Sequence, residues 1–184
     1  MGMKREQTSV WIDGIERHLE DLIENAYEGS SGADRHALYV AAFELLTPVA
    51  VDVLQQMNAA LLQGTGEVSV RAPGPDRGDG SIGSWLLTWP ELSTSTSRFT
   101  GERLHPVTIS AVFPAGFTHP HLVAGGPINP RAESLNAWPM QVTSHQDAEQ
   151  HRAVLWAIAT AEVHDRIYQS SWRVIRGEAK SLLQ

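Results

Sequence analysis

The chain has 184 residues, of which 42% are apolar, and a formal net charge of −7. This length and composition predict a single domain, 1–184, with a hydrophobic core of its own. An acidic chain repels phosphate backbones, so nucleic acid is not expected as a partner. The sequence contains no cysteine, which excludes a disulfide framework, a thiol nucleophile and cysteine-ligated zinc or iron–sulfur sites.

The polar start of the chain and its most apolar stretch give expectations about location. The start, MGMKREQTSVW, lacks the apolar segment of a secretion signal, so a cytoplasmic or virion protein is expected. The most apolar stretch, 37–54, contains Glu44, Pro48 and Asp52. It predicts buried helices of a soluble protein, with no membrane as partner.

Helical patterns occupy 9–63. Trp11, Ile15, Leu19, Leu22 and Ala26 recur at steps of three and four, which predicts an amphipathic helix over 9–28. A second helical block, 35–63, carries one apolar stripe through position 48. Proline cannot donate the helical hydrogen bond, so a kink or a new helix start is expected there.

The region 67–142 is predicted to be rich in β-strands. EVSVRA, SWLLTW and PVTISAVF have the alternating or continuously apolar patterns of strands, and the polar ELSTSTSRFTGERLH predicts a long excursion. GDGSIG formally matches GxGxxG but follows a proline-rich loop and leads into a strand, so no dinucleotide site is expected. The expected class is α+β, with N-terminal helices and a long C-terminal helix packed on a small, mostly antiparallel sheet.

The C-terminal helix is predicted over 147–176, with Ser144 as its N-cap and Asp147 reaching back to it. It carries two apolar stripes, one through Val154 and Ile158 and one through Leu155 and Val163. One small sheet cannot cover both, so the second stripe needs the N-terminal helices or another subunit. Glu162, His164 and Asp165 are expected to be solvated or interfacial. The predicted interface residues are Trp156, Tyr168, Trp172 and Ile175.

His119 and His121 are the strongest candidates for chemistry. In an extended segment their imidazoles point the same way, which is half of a metal site. A third ligand is available from His145, with His105 and His151 as alternatives, and a carboxylate from Glu133 or Asp147. The competing interpretation is that these histidines bond to backbone at strand ends. Asp147 and His151, four residues apart on a helix, form either a carboxylate–imidazole base or an ordinary surface pair.

HPVTISAVFPAGFTHPHLVAGG, followed by AWPMQVTS and a helix, resembles part of the core of ubiquitin-conjugating enzymes. The resemblance covers roughly 55 residues and depends on His119–Pro120 and Trp138–Pro139. It implies a strand, an HPN-type turn, a WxP element and helices. His121 stands where that family has asparagine, and the chain has no cysteine to carry a thioester. The resemblance therefore implies at most a catalytically inactive relative.

No complete catalytic signature is present, so no catalytic residue and no cofactor are predicted. The leading hypothesis is a non-enzymatic structural subunit of a larger assembly, such as a virion or another multi-subunit complex, that contacts copies of itself or other proteins. The alternative is a metal-dependent enzyme acting on a small molecule through His119, His121 and a third histidine.

Overall fold

The computed structural model describes residues 3–27, 34–75, 80–115, 117–125, 137–170 and 174–175, and the side chains of its first helix from residue 12 onward. The α+β class predicted from the sequence is confirmed. The elements in chain order are α1 (Met3–Glu24), α2 (Asp34–Leu62), β1 (Glu67–Pro75), β2 (Ser81–Thr88), α3 (Pro90–Thr94), β3 (Val107–Phe113), β4 (His121–Ala124), β5 (Ala137–Pro139), α4 (His145–Gln150) and α5 (Arg152–Ser170).

The five strands form one antiparallel sheet in chain order, β1-β2-β3-β4-β5. β2 and β3 lie inside the sheet and are almost wholly buried, and their polar residues are the small side chains of serine and threonine. Gly80 and Gly83 of the GxGxxG match lie immediately before and inside β2, so they open no helix. The polar segment before β3 holds α3 and a bridge between Thr96 and Arg103.

Helices α2 and α5 contact each other and pack on the sheet, α2 mainly on β1 and β2 and α5 on β3 and β4. α2 is long and apolar enough to cross a bilayer by length and composition. In the structure its buried side supplies much of the core, where Phe43 stacks on Trp85 with ring centroids 4.4 Å apart. α2 continues through Pro48, and the Thr47 hydroxyl there accepts a hydrogen bond from Trp85 Nε1 at 3.0 Å.

The predicted C-terminal helix is divided in two, because His151 ends α4 and α5 begins at the next residue. Ser144 is confirmed as the N-cap, since Asp147 N donates to its Oγ at 3.2 Å. The Asp147 carboxylate reaches back one residue further than predicted and accepts from Thr143. Leu155 and Val163 of one stripe are buried, whereas the stripe through Val154 and Ile158 reaches the surface at Tyr168, which is 58% exposed. α2 packs against α5, so an N-terminal helix supplies one of the two covers that were expected.

One prediction about α5 is wrong. Glu162 is only 8% exposed and is paired within the fold, where a solvated or interfacial side chain was expected. Its carboxylate accepts from Arg166 at 2.8 Å and from the Thr108 backbone N–H at 3.2 Å. Arg166 also donates to the carbonyls of His105 and Pro106. The pair ties α5 to the start of β3, and a charge count along the helix does not reveal such a tertiary partner.

Candidate functional surface on helix α1

From residue 12 onward, helix α1 presents its large apolar side chains to solvent. The exposed fractions are 50% for Ile12, 53% for Ile15, 51% for Leu19, 48% for Leu22 and 84% for Ile23. These five residues, called here the α1 stripe, fall on one side of the helix because their spacing follows its 3.6-residue period. The stripe exposes on the order of 500 Å² of apolar surface, a size at which a patch on a protein is often functional.

One carboxylate borders the stripe. Glu16 is exposed and lies four residues after Ile12 and seven before Ile23, so it stands at the edge of the stripe. Glu20 and Glu24 are exposed as well, but each further step of four residues turns them about 40° away from the stripe toward the opposite side of the helix. On the other side of the stripe lies the helix face that carries His18 and Asp21, which is turned toward the rest of the protein.

Mostly polar contacts hold α1 on the fold. The buried side-chain amide of Gln141, oriented so that both of its bonds are satisfied, donates to Gly14 O at 2.8 Å and accepts from His18 N at 3.1 Å. After the helix ends, the Tyr27 hydroxyl donates to Met140 O at 2.9 Å. Arg35 of α2 donates to the carbonyl of Asn25. The apolar residues of α1 are thus available, while its polar face provides the attachment.

Three imidazoles and one carboxylate form the centre of this attachment. The ring of His18 lies edge-on against His119, with centroids 4.3 Å apart, and against His121, with centroids 5.6 Å apart. Nε2 of His119 is 3.2 Å from Asp21 Oδ2 but is not aligned as a hydrogen bond, so this contact is electrostatic. His119 Nδ1 pairs with the Thr118 hydroxyl. The sequence prediction that His119 and His121 lie close to one another is consistent with this arrangement, since both rings contact His18.

The environment favours the neutral form of all three rings. Burial, and after it the neighbouring His18 and His119, lower the pKa of His121 to about 4. Burial also lowers the pKa of His119, as does His18, while Asp21 acts in the opposite direction. The pKa of His18 is lowered by burial against the opposing effect of Asp21. Protonation of these rings therefore opposes the packing of the cluster.

The third histidine of the cluster is His18, which was not selected from the sequence. His145 lies at the first position of α4 with an exposed side chain, and His105 is exposed as well. Glu133 lies outside the described residues. Within the described ranges, no group of three or more His, Asp or Glu side chains is arranged to hold a metal ion.

Asp147 and His151 do not form the carboxylate–imidazole pair that their spacing allows. The Asp147 carboxylate accepts from the backbone N–H of Thr143 at 3.0 Å and from its hydroxyl at 2.9 Å. His151 instead places Nδ1 2.8 Å from the Asp147 carbonyl and Nε2 3.3 Å from the Pro139 carbonyl. These contacts cap α4 and join it to β5, so the interpretation as a local structural pair fits better than that of a base.

Two of the four residues predicted at an interface are accessible. Trp156 is half-buried and lines an apolar groove of about 380 Å³ between α2 and α5, together with Leu61 and Ile167. Tyr168 is 58% exposed, lies 5.3 Å from the Phe99 ring, and has Arg98 stacked over it at 5.0 Å. Ile175 is half-buried against the core, and Trp172 lies outside the described residues. Their role at an interface stays a prediction.

His18 and Asp21 are not among the site residues predicted from the sequence, because the pattern in this helix that supports a prediction is its apolar stripe. A signal was present, since the two residues are three apart and so share a face next to that stripe. A titratable pair on the inward face of an amphipathic helix is a reason to look for a third titratable group on the element that it contacts.

No protein family model, no curated protein and no solved structure matches this chain. The resemblance to ubiquitin-conjugating enzymes gains no support from these comparisons.

Proposed function

We propose that this protein is a non-enzymatic subunit of a larger protein assembly, and that the α1 stripe is its principal contact surface. The observation that carries the proposal is the exposure of Ile12, Ile15, Leu19, Leu22 and Ile23 on one side of a single helix. An isolated exposed leucine needs no explanation, whereas five large apolar side chains in one row do.

The cost of leaving this surface in water supports the proposal. Burying the stripe, at about 25 cal/mol per Å² of apolar surface, is worth on the order of 10 kcal/mol before the costs of association. The fold does not use this free energy, because the core is formed by α2, α5 and the sheet. A partner that covers the stripe would gain this free energy on binding.

The attachment of α1 also suits a contact element. The contacts of α1 with the remaining elements centre on β5 and on the histidine cluster, whereas α2 and α5 are packed along the sheet. The groove beside Trp156 and the exposed Tyr168 offer further, smaller apolar surfaces on the opposite helices. The metal-dependent enzyme of the alternative hypothesis has no comparable support among the described side chains.

The test is the native mass of the protein in its source cells. The tagged chain is expected to elute in a complex well above its own 20.2 kDa. Changing Ile15→Asp together with Leu19→Asp should move it to the position of the free chain, because two carboxylates in the stripe oppose its burial. The matched control is Val70→Asp on β1, where the side chain is 46% exposed. A chain that elutes alone, or a complex that survives the double change, would contradict the proposal.

A further inference from the structure

The three imidazoles that attach α1 to the fold have buried ring nitrogens that make no hydrogen bond within the part of the chain that the structure describes. These atoms are Nδ1 of His18, Nε2 of His119 and Nδ1 of His121. A buried polar atom without a hydrogen bond destabilises the state in which it is buried, because water would satisfy it if it were exposed. The docked position of α1 is therefore destabilised at the very place where α1 is attached.

The cluster lies between α1 and the sheet, so its burial depends on α1 staying in place. His18 belongs to α1, and its ring contacts those of His119 and His121. His119 is 2% exposed and is covered by His18 and by the ring of Tyr27, which follows α1. Movement of α1 would open His119 to water and separate His18 from both neighbours. β4, which carries His121, pairs with β3 and β5, and this pairing does not involve α1.

Protonation of the cluster would place positive charges side by side in this closed space. The ring centroids of His18 lie 4.3 Å from those of His119 and 5.6 Å from those of His121. Like charges at such separations repel strongly where water is excluded. The charged groups that face the rings are Asp21 of α1, which offsets part of this repulsion, and Arg35 of α2, which adds to it. One carboxylate does not neutralise three imidazolium ions and a guanidinium.

We infer that acidification releases α1 from the rest of the protein while the sheet and helices α2 and α5 stay folded. In the released state each imidazole gains water and moves away from the other charges, so that its protonation is no longer opposed. The inference concerns how α1 is held, and it does not depend on the proposed function. It adds a condition to that function, because release would change the position of the α1 stripe relative to the fold.

The direction of the effect follows from the pKa values. Burial, and after it the neighbouring imidazoles, lower the pKa of His121 from 6.5 to about 4 in the docked protein, and burial also lowers the pKa of His18 and of His119. Docking is therefore fully favoured above about pH 6.5 and weakens as the pH falls toward about 4. From about pH 7.5 to about pH 5, protonation of His121 alone lowers the docking equilibrium constant by up to about thirtyfold, the value for full recovery of its ordinary pKa on release.

The test follows the distance between α1 and α4 in the full chain as the pH is lowered. Because the chain has no cysteine, Glu20→Cys and Gln150→Cys provide two unique sites for a donor and an acceptor dye that are insensitive to pH. Both side chains are exposed, and Gln150 borders the cleft between the two helices. Energy transfer should fall between about pH 6.5 and about pH 4. Hydrogen exchange, corrected for its intrinsic pH dependence, should show that α1 loses protection in this range while β3 keeps it.

Substitutions in the cluster should move the pH at which energy transfer falls. His18→Asn and His121→Asn each remove a group that takes up a proton on release, so each should leave more α1 docked at about pH 5 than in the wild type. Asp21→Asn removes the carboxylate that offsets the repulsion and should move the release to higher pH. The matched controls are His145→Asn and His164→Asn, whose imidazoles are exposed and lie outside the cluster, and neither should move it.

Three results would overturn the inference. Energy transfer that stays constant down to about pH 4 would show that α1 is not released. Loss of protection in β3 together with α1 would show that the fold unfolds as one unit. An unchanged release in both cluster variants would place the responsible group elsewhere. Energy transfer at about pH 7.5 shows whether each variant is docked at the start, and His121→Asn decides alone if His18→Asn is not docked.

Discussion

Acidification should weaken the fold through the histidine cluster, and His121 allows the effect to be calculated. Its pKa is lowered from 6.5 to about 4 in the folded protein, mainly by burial and then by His18 and His119. A group with a folded pKa below its unfolded value contributes stability that is fully present above pH 6.5 and is lost as the pH falls toward 4. As the pH falls from about 7.5 to about 5, protonation of this single ring should lower the free energy of unfolding by about 2 kcal/mol.

The neighbours of His121 do not reverse this sign. His18 and His119 also have pKa values lowered by burial, so their protonation opposes folding in the same range. The charged groups that face the cluster are Asp21 of α1, which favours protonation, and Arg35 of α2, which opposes it.

Urea unfolding followed by tryptophan fluorescence at the two pH values measures the effect. The wild type should lose about 2 kcal/mol more between them than His121→Asn, because asparagine cannot take up the proton. The stability cost of the substitution itself is the same at both pH values, so it cancels when the pH-dependent losses of the two proteins are compared. Equal losses in the two proteins would refute the argument that the folded structure holds His121 neutral.

Three other substitutions test the packing by urea unfolding. Glu162→Gln removes the buried carboxylate beside Arg166, which keeps Asp165 as a partner, and should cost about 2 kcal/mol. Glu149→Gln, at an exposed carboxylate beside the half-buried Arg152, should cost less than about 1 kcal/mol, and similar costs would contradict the importance of the buried pair. Gly83→Ala places a Cβ 2.5 Å from the Phe43 ring and should cost about 1–3 kcal/mol, part of which Phe43→Leu should restore. Leu19→Ser should change stability by less than about 0.5 kcal/mol, and a loss like that of a core leucine would show that the stripe is not exposed.

The elements with strong local patterns were predictable from the sequence. PVTISAVF alternates cleanly and forms β3, and the apolar stripe through Pro48 forms α2. Ser144 was identified as a cap because its hydroxyl and Asp147 have the spacing of a capping box. Local propensity and hydrogen-bonding chemistry determine each of these elements, so the sequence of one short segment is enough to predict it.

The functional surface was not predictable in the same way, because exposure depends on what other elements cover. The apolar row Ile15–Leu19–Leu22 predicted a helix correctly, but an inward face and an outward face have the same periodicity. The sequence left two covers open for the second stripe of α5, the N-terminal helices or another subunit, and α2 supplies the first. His18 meets His119 only because β4 and α1 converge from positions about a hundred residues apart, which no local pattern records.

Site-specific photo-crosslinking in source cells tests the central claim most directly. A photoreactive phenylalanine analogue is placed at position 19 in the α1 stripe, or at position 70 on β1 as the control. The account predicts a discrete protein adduct from position 19 and no such adduct from position 70. The same adducts from both positions, or none from position 19, would contradict the claim that this protein works through the apolar face of α1.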